Sequence, residues 1–171
     1  MSSSEVAILN KDEHRVNVLV DILWIIDNSG SMGGIQDNIV ANSEIFMEEF
    51  KKNKLVEWKM GVISTDKVDK PYLGFDAPFD SSLVDYSDPT SFDTVVNDFQ
   101  TAIGQLGTRG SGSEYVFYNI LRIIQEYNGA GSAEIPFLRS RAHLAVIMVT
   151  DEMEQSERRY GAQYEALTFL N

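Results

Sequence analysis

The sequence predicts an α/β fold with a mostly parallel sheet flanked by helices. Three observations carry this. An apolar run from Val16 to Ile26 reads as a buried strand. A second such run, Leu144 to Val149, lies far downstream. Strand-like and helix-like periodicities alternate between them, and strands separated by helices imply parallel pairing through right-handed crossovers.

Each element follows from its pattern. Residues 1–15 are polar and read as a loose lead-in, so the domain is expected over 16–171. Val16 to Ile26 alternates at first and is then apolar on both faces, as a central parallel strand requires. Ile35 to Phe50 predicts a helix with Ile35, Ile39, Phe46 and Phe50 on one face. Lys51 and Lys52 then suit the negative end of its dipole. Val56 to Thr65 predicts a second strand, with Trp58, Met60, Val62 and Ser64 on one face. Pro71, Pro78 and Pro89 break the stretch 66–90, where Tyr72, Leu73, Phe75 and Phe79 fit a short hairpin or a loop packed over the core. Phe92 to Ile103 predicts a helix with Phe92, Val96, Phe99 and Ile103 inward. After a stretch rich in Gly, Ser and Thr, Glu114 to Tyr127 predicts another, with Phe117, Ile120, Leu121 and Ile124 as its stripe and Glu114 serving its dipole. His143 to Thr150 is expected as a third buried strand, and Tyr160 to Leu170 as a last helix.

Composition narrows the function classes. The chain has 171 residues, 43% of them hydrophobic, which suits one globular domain with a sizeable core. Its formal net charge of −12 would repel a phosphate backbone, so nucleic acid is a poor partner, whereas divalent cations would be attracted. The same charge also serves solubility. There are no cysteines, which excludes disulfides, thiolate metal sites and a Cys nucleophile. No stretch is long and apolar enough to span a membrane. Met1-Ser2-Ser3-Ser4 has neither the basic flank nor the hydrophobic core of a signal peptide.

Three loops carry small oxygen-bearing residues after apolar strands or before a helix. The first holds Asp27, Ser29 and Ser31, leaving the first strand at alternate positions. The second runs Gly107-Thr108-Arg109-Gly110-Ser111-Gly112-Ser113-Glu114, and the third is Thr150-Asp151-Glu152. Loops beyond the carboxyl ends of parallel strands share one rim and can converge on a crevice. Hydroxyls with few carboxylates are hard oxygen ligands that suit Mg²⁺, which prefers octahedral oxygen coordination and keeps several waters. Mn²⁺ or Ca²⁺ could substitute. Few bound carboxylates would leave the ion with positive charge for a partner's acid.

These residues resemble the von Willebrand factor type A domain, shared with integrin inserted domains. The pattern D-x-S-x-S matches Asp27, Ser29 and Ser31, and Asp151 in Val149-Thr150-Asp151 matches the Asp that follows a later strand. The second-loop ligand of that family falls on Ser111 when counted back from the helix, or on Thr108 by residue type. The run from Asp21 to Met32, the Gly-Thr-x-Gly-Ser-Gly stretch with Glu114, and Phe137-Leu138-Arg139 look most like bacterial surface members. The resemblance implies a Rossmann-like, doubly wound sheet and a metal-ion-dependent adhesion site. A Glu or Asp of a protein ligand would complete its metal shell. It also implies an extracytoplasmic or cell-surface location and no catalysis. The family continues with further strands beyond the Asp151 loop. This chain ends at Asn171, so the Asp151 strand is expected as a sheet edge that could pair with another chain.

Two other readings compete. An Asp after an apolar strand fits a metal-dependent hydrolase or phosphoryl-transfer enzyme. Against it, Ser29 stands where a second Asp would be, no G-x-S-x-G elbow occurs, and neither His14 nor His143 is placed as a base. A structural subunit assembling through its sheet edge is the other. The histidines, Trp24 and Trp58 are expected to be structural, and the run Asp151-Glu152-Met153-Glu154 a solvated loop.

Overall fold

The computed structural model describes residues 18–52, 55–66, 79–127, 137–153 and 155–156. Strand β1 (Val18–Ile26) lies between β2 (Val56–Ser64) and β4 (His143–Val149) and is parallel to both. The two-residue β3 (Phe79–Asp80) pairs antiparallel with β2, giving the order β3-β2-β1-β4. Among the described residues three α-helices accompany the sheet: α1 (Gly33–Lys52), α2 (Pro89–Leu106) and α3 (Val116–Tyr127). The chain is therefore an α/β protein with a mixed, mostly parallel four-stranded sheet. The expected lead-in over 1–15, His14, the residues Tyr72, Leu73 and Phe75, and the helix over 160–170 lie outside the described residues.

The alternation of β1 divides the core. Ile22, Trp24 and Ile26 face α1 and α2, together with Trp58, Met60 and Val62 of β2. Leu23 and Ile25, with Ile63, face α3 and Phe137 on the other side. Helices thus cover both faces, which is why β1 can be apolar on both faces from Ile22 to Ile26. Helix α2 uses the predicted residues Phe92, Val96, Phe99 and Ile103, all buried. Asp88 caps its start by accepting from the Thr90 N–H at 2.9 Å, with Pro89 in the first turn.

Two helical faces differ from expectation. In α1 the fully buried residues are Gln36, Ser43 and Met47, while Ile39, Phe46 and Phe50 are half-buried at the core's margin. The polar residues bury because each has a partner: Ser43 donates to the Val40 carbonyl at 2.8 Å and accepts from Gln100 Nε2 at 3.0 Å. In α3 the buried apolar residues are Val116, Ile120 and Ile123; of the predicted stripe Ile120 is buried, Phe117 and Ile124 are half-buried against this core, and Leu121 is not part of it. This helix begins at Val116, so Glu114 precedes it and does not serve its dipole as expected. Strand β4 is also less buried than expected. It is exposed or half-buried along its length, with Leu144 39% and Met148 51% accessible. Among the described residues it pairs only with β1, which leaves it an edge.

Asp21 interrupts the apolar run of β1 and is 2% exposed. Its carboxylate accepts from Arg139 Nε at 2.7 Å and from the Arg139 backbone N–H at 2.6 Å. The same guanidinium donates to the carbonyls of Val20 and Glu57. A buried charge in a central strand is tolerable only when paired in this way.

Candidate functional site

Parallel register brings the ends of β1 and β4 together. Ile26 lies opposite Val149, so Asp27 and Thr150 leave the sheet side by side. The Asp27 N–H donates to the Val149 carbonyl at 2.8 Å, continuing the ladder one residue beyond the strands. The first loop then turns into a short 3₁₀ segment, Gly30–Met32, that leads into α1.

Asp27 is fully buried, and its carboxylate is held from two sides. One oxygen accepts from the Ser29 N–H at 2.7 Å and the other from the Thr150 hydroxyl at 2.9 Å. Gln36 fixes the backbone beneath by donating to the carbonyls of Asp27 and Gly107, both at 3.0 Å. In front of Asp27 the hydroxyls of Ser29 and Ser31 stand 3.2 Å apart. Ser31 in turn lies 3.2 Å from an oxygen of Asp151. Four of the residues singled out by sequence (Asp27, Ser29, Ser31 and Asp151) therefore meet at one rim. Asp27 and Ser29 form its buried floor; Ser31 and Asp151 form its exposed lip.

The spacing of these oxygens is informative. Elsewhere in the chain Ser and Thr hydroxyls hydrogen-bond to nearby aspartates at 2.5 Å (Ser82 to Asp80), 2.6 Å (Ser87 to Asp85) and 2.7 Å (Thr90 to Asp88). The rim pairs are longer than that, and longer than an ordinary O–H···O bond of about 2.7–2.8 Å. Oxygens on adjacent corners of a Mg²⁺ octahedron, each about 2.1 Å from the ion, stand roughly 3 Å apart. Ser29, Ser31 and Asp151 could thus supply neighbouring corners with little movement. Among the described residues no group of three or more His, Cys, Asp or Glu is placed to hold a metal ion, so a cation here would depend on hydroxyl ligands.

The second loop approaches without joining this chain of contacts. The Gly110 N–H donates to the Asn28 carbonyl at 2.7 Å, and the Asn28 amide reaches the Leu106 carbonyl at 3.4 Å. A Cβ at Gly110 would fall 2.2 Å from Asn28 Oδ1, so any larger residue here requires the Asn28 side chain to move. Gly107, which ends α2, has φ +65°, a conformation that side chains disfavour. The Ser111 hydroxyl accepts from the Ser113 N–H at 3.1 Å, and the Ser111 N–H donates to Asp66 at 2.9 Å. The Thr108 methyl group faces Gly33 at the start of α1. Neither second-loop hydroxyl makes a hydrogen bond to Asp27, Ser29, Ser31 or Asp151.

Several residues shape this rim in roles that the sequence did not reveal. Thr150 orients Asp27, Gln36 ties two loops together, and Asn28 receives the second loop. Asn119 donates to the carbonyls of Ser64, Thr65 and Asp66, closing the underside. Glu114 is fully buried, and neither carboxyl oxygen has a hydrogen-bond partner. Burial pushes its carboxyl up to about 7; the Thr65 hydroxyl nearby opposes this, while Asp27, Asp66 and Glu152 add to it. Polar residues inside the predicted helices and their leading loops were the available signal for Gln36 and Asn119. Comparisons with protein-family models, curated proteins and solved structures returned no match.

Proposed function

We propose that this chain is a metal-ion-dependent protein-binding domain of the von Willebrand factor A type, with a Rossmann-like, doubly wound sheet. The cation is Mg²⁺, with Mn²⁺ or Ca²⁺ as substitutes. Ser29, Ser31 and Asp151 hold it at the lip. Asp27 supports it from behind, since both its oxygens are already engaged by the Ser29 N–H and the Thr150 hydroxyl. Ser111 or Thr108 supplies the second-loop oxygen. Hydroxyl ligands leave the ion positively charged, so an Asp or Glu of a partner protein takes its open position. The chain binds rather than catalyses, and by its resemblance acts at the cell surface.

The observation that carries this reading is the Ser31–Asp151 contact. It joins an exposed hydroxyl of the first loop to an exposed carboxylate of the third, at a spacing suited to a shared cation. Among the described residues the one histidine, His143, opens β4 at the end of the strand away from Asp27 and so is not placed to act there as a base. The test is Mg²⁺ calorimetry on wild type, Ser31→Ala and Asp151→Asn, both exposed sites whose variants should fold. Binding by the wild type with loss of at least tenfold in each variant is expected. Wild-type affinity in both variants would overturn the reading.

A second reading, assembly through the sheet edge, is favoured by the accessible Leu144 and Met148 on β4. Self-association without metal, lost in Leu144→Lys with Met148→Lys, would support it; a monomer at all concentrations would refute it.

A further inference from the structure

Beneath the rim lies an acid that the proposed cation site does not use. Glu114 is sealed between three segments. Its carbonyl accepts from the Gln155 N–H at 2.8 Å on the third-loop side, and the next residue, Tyr115, donates its N–H to the Thr65 carbonyl at 3.0 Å beyond β2. Its two carboxyl oxygens and the Thr65 hydroxyl are all buried without a hydrogen-bond partner. The charged groups acting on it are Asp27 beyond β1, Asp66 beyond β2 and Glu152 beyond β4, all acidic. Tyr115 and the exposed Arg109 share its loop.

We infer that Glu114 is a positioning residue charge-linked to the rim: when a dication binds beside Asp27, the Glu114 carboxyl gives up its proton to solvent and becomes the buried counter-charge of the occupied site. The inference rests on the cation reading of the rim. The balance is simple. A free dication and a neutral carboxyl become a bound dication, a carboxylate and one released proton. The driving term is electrostatic. Asp27 now contributes a negative charge that disfavours the Glu114 anion, and a dication held at the rim in front of Asp27 offsets that charge. In a water-excluded setting that change is strongly felt.

The experiment is Mg²⁺ calorimetry on wild type and Glu114→Gln at pH 6, 7 and 8, each in two buffers of different ionisation heat. In the wild type, affinity should rise by up to about tenfold per pH unit below 7 and flatten above it, with up to one proton released per ion. Glu114→Gln should bind with the same affinity at all three pH values and release no proton. Wild-type binding that is equal at pH 6 and pH 8, with heats independent of buffer, would overturn the inference and leave the rim reading standing. A Gln variant that keeps the wild-type slope would also overturn it. A wild type that binds no Mg²⁺ at any pH would sink the rim reading itself. A wild type that releases no proton overturns the inference even if the Gln variant fails to fold.

Discussion

Replacing Glu114 by Gln should change how stability depends on pH, without any metal. The folded protein holds the Glu114 proton up to about pH 7, against an ordinary value of 4.5 for the unfolded chain. Between those values the native state binds a proton that the unfolded state has released. Stability from this group is therefore fully present below pH 4.5 and is lost as pH rises through 7. The loss amounts to at most about 3 kcal/mol, the free energy equivalent of moving the carboxyl from 4.5 to about 7, and solvent screening reduces it. Glutamine keeps the shape and cannot ionise, so its curve should lack this decline. The assay is urea denaturation between pH 4 and 9, followed by the fluorescence of the buried Trp24 and Trp58. The difference between the curves reports Glu114 together with its coupling to Asp27, Asp66 and Glu152. The variant should gain on the wild type by up to about 3 kcal/mol from pH 4 to pH 9, with most of the change between 5 and 8. Parallel curves would refute the argument that burial among acids controls this group.

Other outcomes follow from the packing. Gly110→Ala drives a methyl group into the Asn28 amide and should cost roughly 1–3 kcal/mol in thermal or urea denaturation; adding Asn28→Ala should recover part of that. Arg139→Ala leaves Asp21 buried and unpaired, for an expected loss of about 3–5 kcal/mol by chemical denaturation, and Asp21→Asn should lessen the penalty when combined with it. Thr150→Val removes the hydroxyl that holds the inner oxygen of Asp27 and should destabilise by about 1–3 kcal/mol, whereas Thr150→Ser should be close to wild type.

The parts of this fold that were legible in the sequence share one property: their neighbours repeat at a fixed period. Strands β1 and β2 and helix α2 declared themselves through apolar spacing, and the predicted inward residues of α2 are buried. The first and third loops were legible for a related reason. Both follow apolar strands, and adjacent parallel strands in register bring Asp27 beside Thr150. What was hidden depends on single long-range partners. Gln36 and Ser43 interrupt the apolar face of α1, yet they bury because specific carbonyls and Gln100 receive them. Asp21 was a visible anomaly in an apolar strand, but nothing local names Arg139 as its partner. Glu114 looked like a residue of the first helical turn; the helix starts later, and the acid turns inward under the rim. The second loop stayed ambiguous because its glycines set its path, and their effect on Thr108 and Ser111 is not written in side-chain pattern.

The central claim is that hydroxyls and acids from separate loops share one dication. The most direct measurement is a crystal structure grown with Mn²⁺, with the ion located by its anomalous scattering. A single peak about 2 Å from the hydroxyl oxygens of Ser29 and Ser31, with Asp151 bound directly or through one water, is the expected result. An ion found elsewhere, or a well-ordered rim holding none at millimolar Mn²⁺, would contradict the account.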